Sequence, residues 1–168
     1  INEYLDQKME NKYTAKDFRT WAASWKTGAR LAMVSEASEK EISQLPELHR
    51  EAVENSEKDG FPPYVEWCGR YLKGTEGLAK LAESGNLPGE TDKERMATML
   101  AVIDTVAADL GNTRAVCRSS YIRPMFMEDW DERVFLHRWN EAKKGQIRGE
   151  NMWSDETAAI NYMKKWEE

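Results

Sequence analysis

The chain has 168 residues, 40% of them apolar and 32% charged, and carries a net charge of −6. Length and balance describe one globular domain able to bury a sizeable core, and they exclude a disordered chain. No apolar run approaches the roughly 20 residues that span a bilayer, so no membrane anchor is expected.

Ile1 opens the chain and no signal-peptide pattern follows, so the sequence reads as a piece of a longer or processed protein. Cys68 and Cys117 are the only cysteines. Two lone thiols in a domain with this much core point to reduced cysteines in the cytoplasm. His49 and His137 are isolated as well, so no metal site and no cofactor is expected. Residues 1–34 carry six basic and four acidic side chains, and residues 92–125 carry five and four. Residues 35–91 carry six basic and twelve acidic, and residues 126–168 seven and ten. The acidic stretches would be repelled by phosphates and are expected to face away from nucleic acid.

Taken in chain order, the pattern predicts an all-α, mainly helical fold. Ile1, Tyr4, Leu5 and Met9 suit one face of a short first helix. Thr14-Ala15-Lys16-Asp17 reads as a capping box. The helix it opens places Phe18, Trp21, Ala22, Trp25, Ala29, Ala32 and Met33 on a core face. Two helices are predicted near 39–58 and 64–84, separated by Asp59-Gly60-Phe61-Pro62-Pro63. Thr91-Asp92-Lys93-Glu94 is a second capping box. Its helix puts Met96, Met99, Leu100, Ile103, Val106, Ala107 and Leu110 on one face and ends at Gly111. Thr113 caps a short helix bearing Tyr121, and Pro124 ends that segment. One charged helix from 127 to 144 and a last one capped by Ser154 complete the reading. No strand is predicted, because no segment sustains alternation of apolar and polar residues.

Two segments carry chemistry: Tyr13-Thr14-Ala15-Lys16-Asp17-Phe18-Arg19-Thr20-Trp21, and Leu110-Gly111-Asn112-Thr113-Arg114-Ala115-Val116-Cys117-Arg118-Ser119-Ser120-Tyr121-Ile122-Arg123-Pro124. Both resemble signature segments of type IB DNA topoisomerases, in the bacterial, poxvirus-like branch. The resemblance covers residues 1–34 and 92–125. It implies that Arg19 clamps the scissile phosphate, that Asn112 stands where many members have histidine, and that Tyr121 attacks phosphorus. It also implies double-stranded DNA as partner, a monomer at work in the cytoplasm or nucleoid, and a 3′-phosphotyrosyl intermediate formed without ATP or metal. Lys16, Arg114, Arg118 and Arg123 flank the motifs as candidate contacts to backbone phosphates.

The chemistry of these side chains suits the roles. A tyrosine with a pKa near 10 is a weak nucleophile without cationic or hydrogen-bonding help. Arginine supplies a charged planar fork that matches two phosphate oxygens, and asparagine donates a neutral hydrogen bond. Outside the motifs, the same residue types would read differently: Arg19 as a solvated or salt-bridged cation, Tyr121 as a packing residue, Asn112 as part of a helix-ending turn. The seven tryptophans read as core and not as base-stacking platforms. His49 and His137 read as surface or structural residues.

The departures from the family are equally specific. The family's site uses a further arginine and a lysine general acid upstream of the position Arg19 matches, and the 168 residues do not supply them. The chain alone is therefore expected to cleave DNA poorly or not at all. Arg19 and Asn112 stand 93 positions apart, so residues 35–91 read as an acidic helical insertion. Residues 126–168 read as an acidic extension that packs back on the catalytic helices or docks a protein partner. A tyrosine recombinase competes as a reading. Those enzymes usually carry histidine where this chain has Lys16, and again at Asn112. A helical interaction module without chemistry is the alternative from another class.

Overall fold

A computed structural model describes residues 14–144 and 155–166. The helix expected at Ile1–Met9, Tyr13 of the first motif and the Ser154 cap lie outside those residues. Helix α1 (Ala15–Glu36) begins as its capping box dictates: Thr14 Oγ1 accepts the Asp17 N–H, and the Asp17 carboxylate accepts the Thr14 N–H. Phe18, assigned to the core by periodicity, is 51% exposed. Burial begins one turn later at Trp21 and becomes nearly all-round from Thr27 to Val34. The helix enters the core end-on, so its first turn stays at the surface whatever its periodicity.

Helix α2 (Glu39–Asp59) is capped by Ser38 and closed by Gly60 in the left-handed conformation, φ 80°. The segment expected to be a second long helix is instead a β-hairpin, β1 (Tyr64–Trp67) and β2 (Arg70–Lys73), followed by a short helix α3 (Glu76–Glu83). Tyr64 pairs with Lys73 and Val65 with Leu72 in an antiparallel register. Val65, Trp67 and Leu72 turn inward, while Tyr64 and Tyr71 stand exposed with ring centroids 5.8 Å apart. Cys68 and Gly69 make the two-residue turn, both at positive φ (51° and 78°), the backbone twist a tight hairpin requires. Alternation over four residues a side, rich in aromatic and β-branched side chains, won over helical spacing.

Helix α4 (Asp92–Leu110) carries the second predicted capping box and ends at Gly111, φ 69°. Its Met99, Ile103, Val106 and Ala107 are buried as the spacing predicts, with Met96, Leu100 and Leu110 half-buried. Thr113 caps the short α5 (Arg114–Val116), which widens into a π turn over Cys117–Tyr121. Pro124 starts, at the first position of a helix, α6 (Pro124–Asp131), where its missing N–H costs nothing. The single charged helix expected over 127–144 is broken: Arg133 adopts φ 67°, and α7 (Phe135–Lys144) resumes beyond it. Helix α8 (Asp155–Trp166) ends the described chain.

These elements share one hydrophobic core. Leu45, Val65, Trp67, Leu72 and Leu78 from the acidic middle join Leu31 and Val34 of α1 and Val102 and Ile103 of α4. The tail joins the same core through Phe126, Trp130, Phe135, Trp139 and Tyr162, each almost fully buried. Gly28 admits the tail against α1, since a Cβ there would lie 2.9 Å from Trp139 and 3.2 Å from Phe126. Burial of each such aromatic stabilises by about 1.5–3 kcal/mol, so the tail is a principal part of the core. Tyr162 donates to the buried Asp129 carboxylate at 2.5 Å, and Arg138 donates to the same oxygen at 3.1 Å. Of the described tryptophans, Trp21, Trp67, Trp130 and Trp139 are core residues, and Trp25 and Trp166 are half-buried. His49 is half-buried against the Thr75 hydroxyl at 2.9 Å, and His137 is exposed.

Candidate active site

Arg19 lies just past the first turn of α1, exposed, and reaches the far end of α4. Its Nη1 donates to the Leu110 carbonyl at 3.1 Å. The last carbonyls of a helix have no intrahelical acceptor role and sit at the negative end of its dipole, so a guanidinium is well placed there. The Arg19 Cζ also stands 6.0 Å from the centroid of the Tyr121 ring. The arginine thus reaches both the Leu110–Asn112 corner and the tyrosine, from 91 or more positions away in the sequence.

Tyr121 is half-buried at the end of the π turn, where the Ile122 N–H donates to the Cys117 carbonyl at 3.2 Å. Cys117, which opens the same turn, is fully buried, and burial pushes its thiol up to about 11. Such single π turns are frequent at functional sites. Asn112 follows the Gly111 corner and donates its backbone N–H to Ala107 at 3.0 Å. Its side-chain nitrogen is buried and has no hydrogen-bond partner among the described residues. A buried donor left unpaired costs on the order of 1–3 kcal/mol, so its position calls for a reason. In its present rotamer that nitrogen is covered, and donation to a ligand requires the side chain to turn outward.

The four flanking cations differ. Lys16 and Arg118 are exposed. Arg123 is half-buried and its backbone N–H donates to Ser24 Oγ at 3.0 Å. Arg114 is held by Asp104 through two bonds of 2.7 Å, which raises its pKa further. Arg114, a candidate phosphate contact, is thus engaged by a carboxylate ten residues back on α4 that no local sequence pattern marks.

Residues outside the two motif segments hold the site together. Ser24 Oγ, fully buried, donates to the Tyr121 carbonyl at 3.3 Å while it accepts from Arg123. Asp109 takes Lys26 at 3.0 Å and Arg30 at 2.6 Å, and Arg30 also donates to Thr105 at 3.1 Å. Burial works against the Asp109 charge, but the Arg30 and Lys26 cations outweigh it and keep the carboxyl below its ordinary range. This pairing fixes the helix of Arg19 to the helix that ends at Leu110. The signal available in the sequence was a polar residue on an apolar face, as Ser24 is between Trp21 and Leu31.

A family model for the catalytic core of eukaryotic DNA topoisomerase I matches residues 1–144. The chain belongs to that family. No curated protein and no solved structure matches it. The match spans both motif segments and the acidic residues between them, and it sets the chain among isomerases whose substrate is DNA. Among the described residues of this topoisomerase chain, no helix is long and apolar enough to cross a membrane.

Proposed function

We propose that this chain is the tyrosine-bearing part of a type IB DNA topoisomerase of the bacterial, poxvirus-like branch, acting as a monomer on duplex DNA in the nucleoid. The observation that carries the reading is the approach of Arg19 to both Tyr121 and the corner before Asn112. Two motifs remote in sequence then serve one phosphate.

In this mechanism the Tyr121 oxygen attacks the scissile phosphorus, forms a 3′-phosphotyrosyl bond and releases a 5′-hydroxyl strand. Arg19 spends one N–H on Leu110 and keeps the rest of its fork for the non-bridging oxygens, where charge grows in the transition state. Asn112 turns its unpaired amide to the same oxygens. The leaving oxygen takes its proton from a lysine that the family places upstream and these residues do not supply, so the 168 residues alone are expected to cleave DNA poorly or not at all. Exchange of one phosphodiester for another conserves the bond energy, and the broken strand can rotate and be resealed without ATP. Lys16, Arg118 and Arg123 contact backbone phosphates, and Arg114 joins them once it leaves Asp104. Residues 35–91 are read as an insertion and residues 126–168 as an extension, their acidic surfaces offered to protein and not to DNA.

Relaxation of a supercoiled plasmid by the full natural chain, in EDTA and without ATP, tests the reading beside Tyr121→Phe. The native protein is expected to relax the plasmid and the variant to leave it supercoiled. Activity that survives loss of the Tyr121 hydroxyl would end the reading. Recombinant products from paired specific sites would favour a recombinase instead.

A further inference from the structure

We infer that Ser24 is a positioning residue for the cleavage step, holding the nucleophile's turn in register with the helix of Arg19. The inference rests on Tyr121 and Arg19 serving one phosphate, as proposed above.

Serine and threonine in mid-helix bond back to the carbonyl four residues earlier. Two other hydroxyls of α1 do so: Thr27 donates to Ala23 at 2.7 Å and Ser35 to Leu31 at 2.9 Å. Ser24 does not. It donates its one proton across the fold, to the Tyr121 carbonyl at 3.3 Å, and accepts the Arg123 N–H at 3.0 Å. These are the backbone groups on either side of Ile122, where the chain leaves the π turn and becomes extended (φ −86°, ψ 130°). At that point the helical ladder has ended, and Pro124 two residues on has no N–H to continue one. A single buried hydroxyl therefore takes both a donor and an acceptor at the exit of the turn.

The consequence is geometric. Arg19 and Ser24 lie on one rigid helix, about 7.5 Å apart along its axis. The Tyr121 backbone is fixed to that helix at Ser24, and its ring lies beside the Arg19 guanidinium. Without the hydroxyl the turn keeps its packing through Cys117 and Ile122, both buried, yet loses its polar tie to α1. In-line attack on phosphorus tolerates little misplacement, and an error near 1 Å costs on the order of 100-fold in rate. The partners of Ser24 are backbone groups and not the reacting oxygen, so its effect belongs in the chemical step and not in DNA affinity.

The test compares Ser24→Ala with Thr27→Ala in the full natural chain. Both remove a fully buried hydroxyl from α1, but only the first reaches the tyrosine's turn. Single-turnover cleavage of a nicked duplex that traps the covalent adduct gives the rate, and fluorescence anisotropy on the same duplex gives affinity. Ser24→Ala is expected to slow adduct formation by about 10- to 100-fold at unchanged affinity, and Thr27→Ala to leave the rate within about twofold. A Ser24→Ala rate equal to native would overturn the inference, as would equal slowing by both variants. A native chain that forms no Tyr121 adduct would instead overturn the underlying function, so the two failures are distinguishable.

Discussion

Asp109→Asn should cost this domain far more than an ordinary surface substitution, because it strands a buried cation. Asp109 Oδ2 accepts from Arg30 at 2.6 Å and Lys26 at 3.0 Å, and the Asp109 and Arg30 side chains are only 14% and 9% exposed. Asparagine keeps the shape and removes the charge. Lys26 is open enough to find water, but Arg30 is left with neutral acceptors alone, the amide oxygen of the new asparagine and the Thr105 hydroxyl. Breaking a buried pair by removing one partner costs about 3–5 kcal/mol, chiefly through the charge left behind. For a chain of this size each kcal/mol lowers the melting temperature by about 2–4 °C, so a fall of about 6–20 °C is expected. Calorimetry or circular dichroism on the 168-residue chain measures it. Adding Arg30→Met to the variant removes the stranded charge and should recover at least about half of the loss. The pH dependence has a definite sign. The folded carboxyl lies below its unfolded value of 3.8, so its contribution is complete above about pH 4 and fades as pH falls through the folded value. The gap between native and variant should therefore narrow in acid. A loss under about 1 kcal/mol at pH 7, or a gap that widens in acid, would refute the reasoning.

Other expectations follow from single contacts. Tyr162→Phe removes the 2.5 Å bond to buried Asp129 and should cost about 2 kcal/mol, read from a urea melt with unchanged slope. Asp104→Ala should cost less than about 1 kcal/mol, since its pair with Arg114 is partly exposed. The same variant frees Arg114 for phosphate, and should steepen the slope of log affinity for duplex DNA against log salt by about one. An unchanged slope would show that Arg114 does not reach DNA. Burial raises the Cys117 thiol to about 11, so it should resist alkylation at pH 8 until the chain unfolds, as followed by intact mass.

What could be read from the sequence, and what could not, divides along physical lines. The capping boxes at Thr14 and Thr91 and the Gly111 corner were legible because their bonds run between near neighbours. The hairpin was not: four residues a side are too few to sustain alternation, and its turn uses Cys68 at positive φ in place of the usual asparagine or aspartate. The break at Arg133 has the same cause, a left-handed residue whose type does not announce it. Phe18 was misassigned because periodicity gives a face and not the depth at which a helix enters the core. At the site, the motifs named Arg19, Asn112 and Tyr121, and the fold brings Arg19 to Tyr121 and to the corner before Asn112. Ser24, Asp104 and Asp109 escaped notice because their partners lie on other elements or one helix away, at separations no local pattern encodes.

The central claim is that Tyr121 becomes covalently joined to DNA. Denaturing the full natural chain during reaction with a nicked duplex, followed by proteolysis and mass spectrometry, tests it most directly. The account predicts a peptide containing Tyr121 that carries a 3′-linked nucleotide, absent from Tyr121→Phe. A nucleotide on any other residue, or no adduct from a chain that relaxes plasmid, would contradict it.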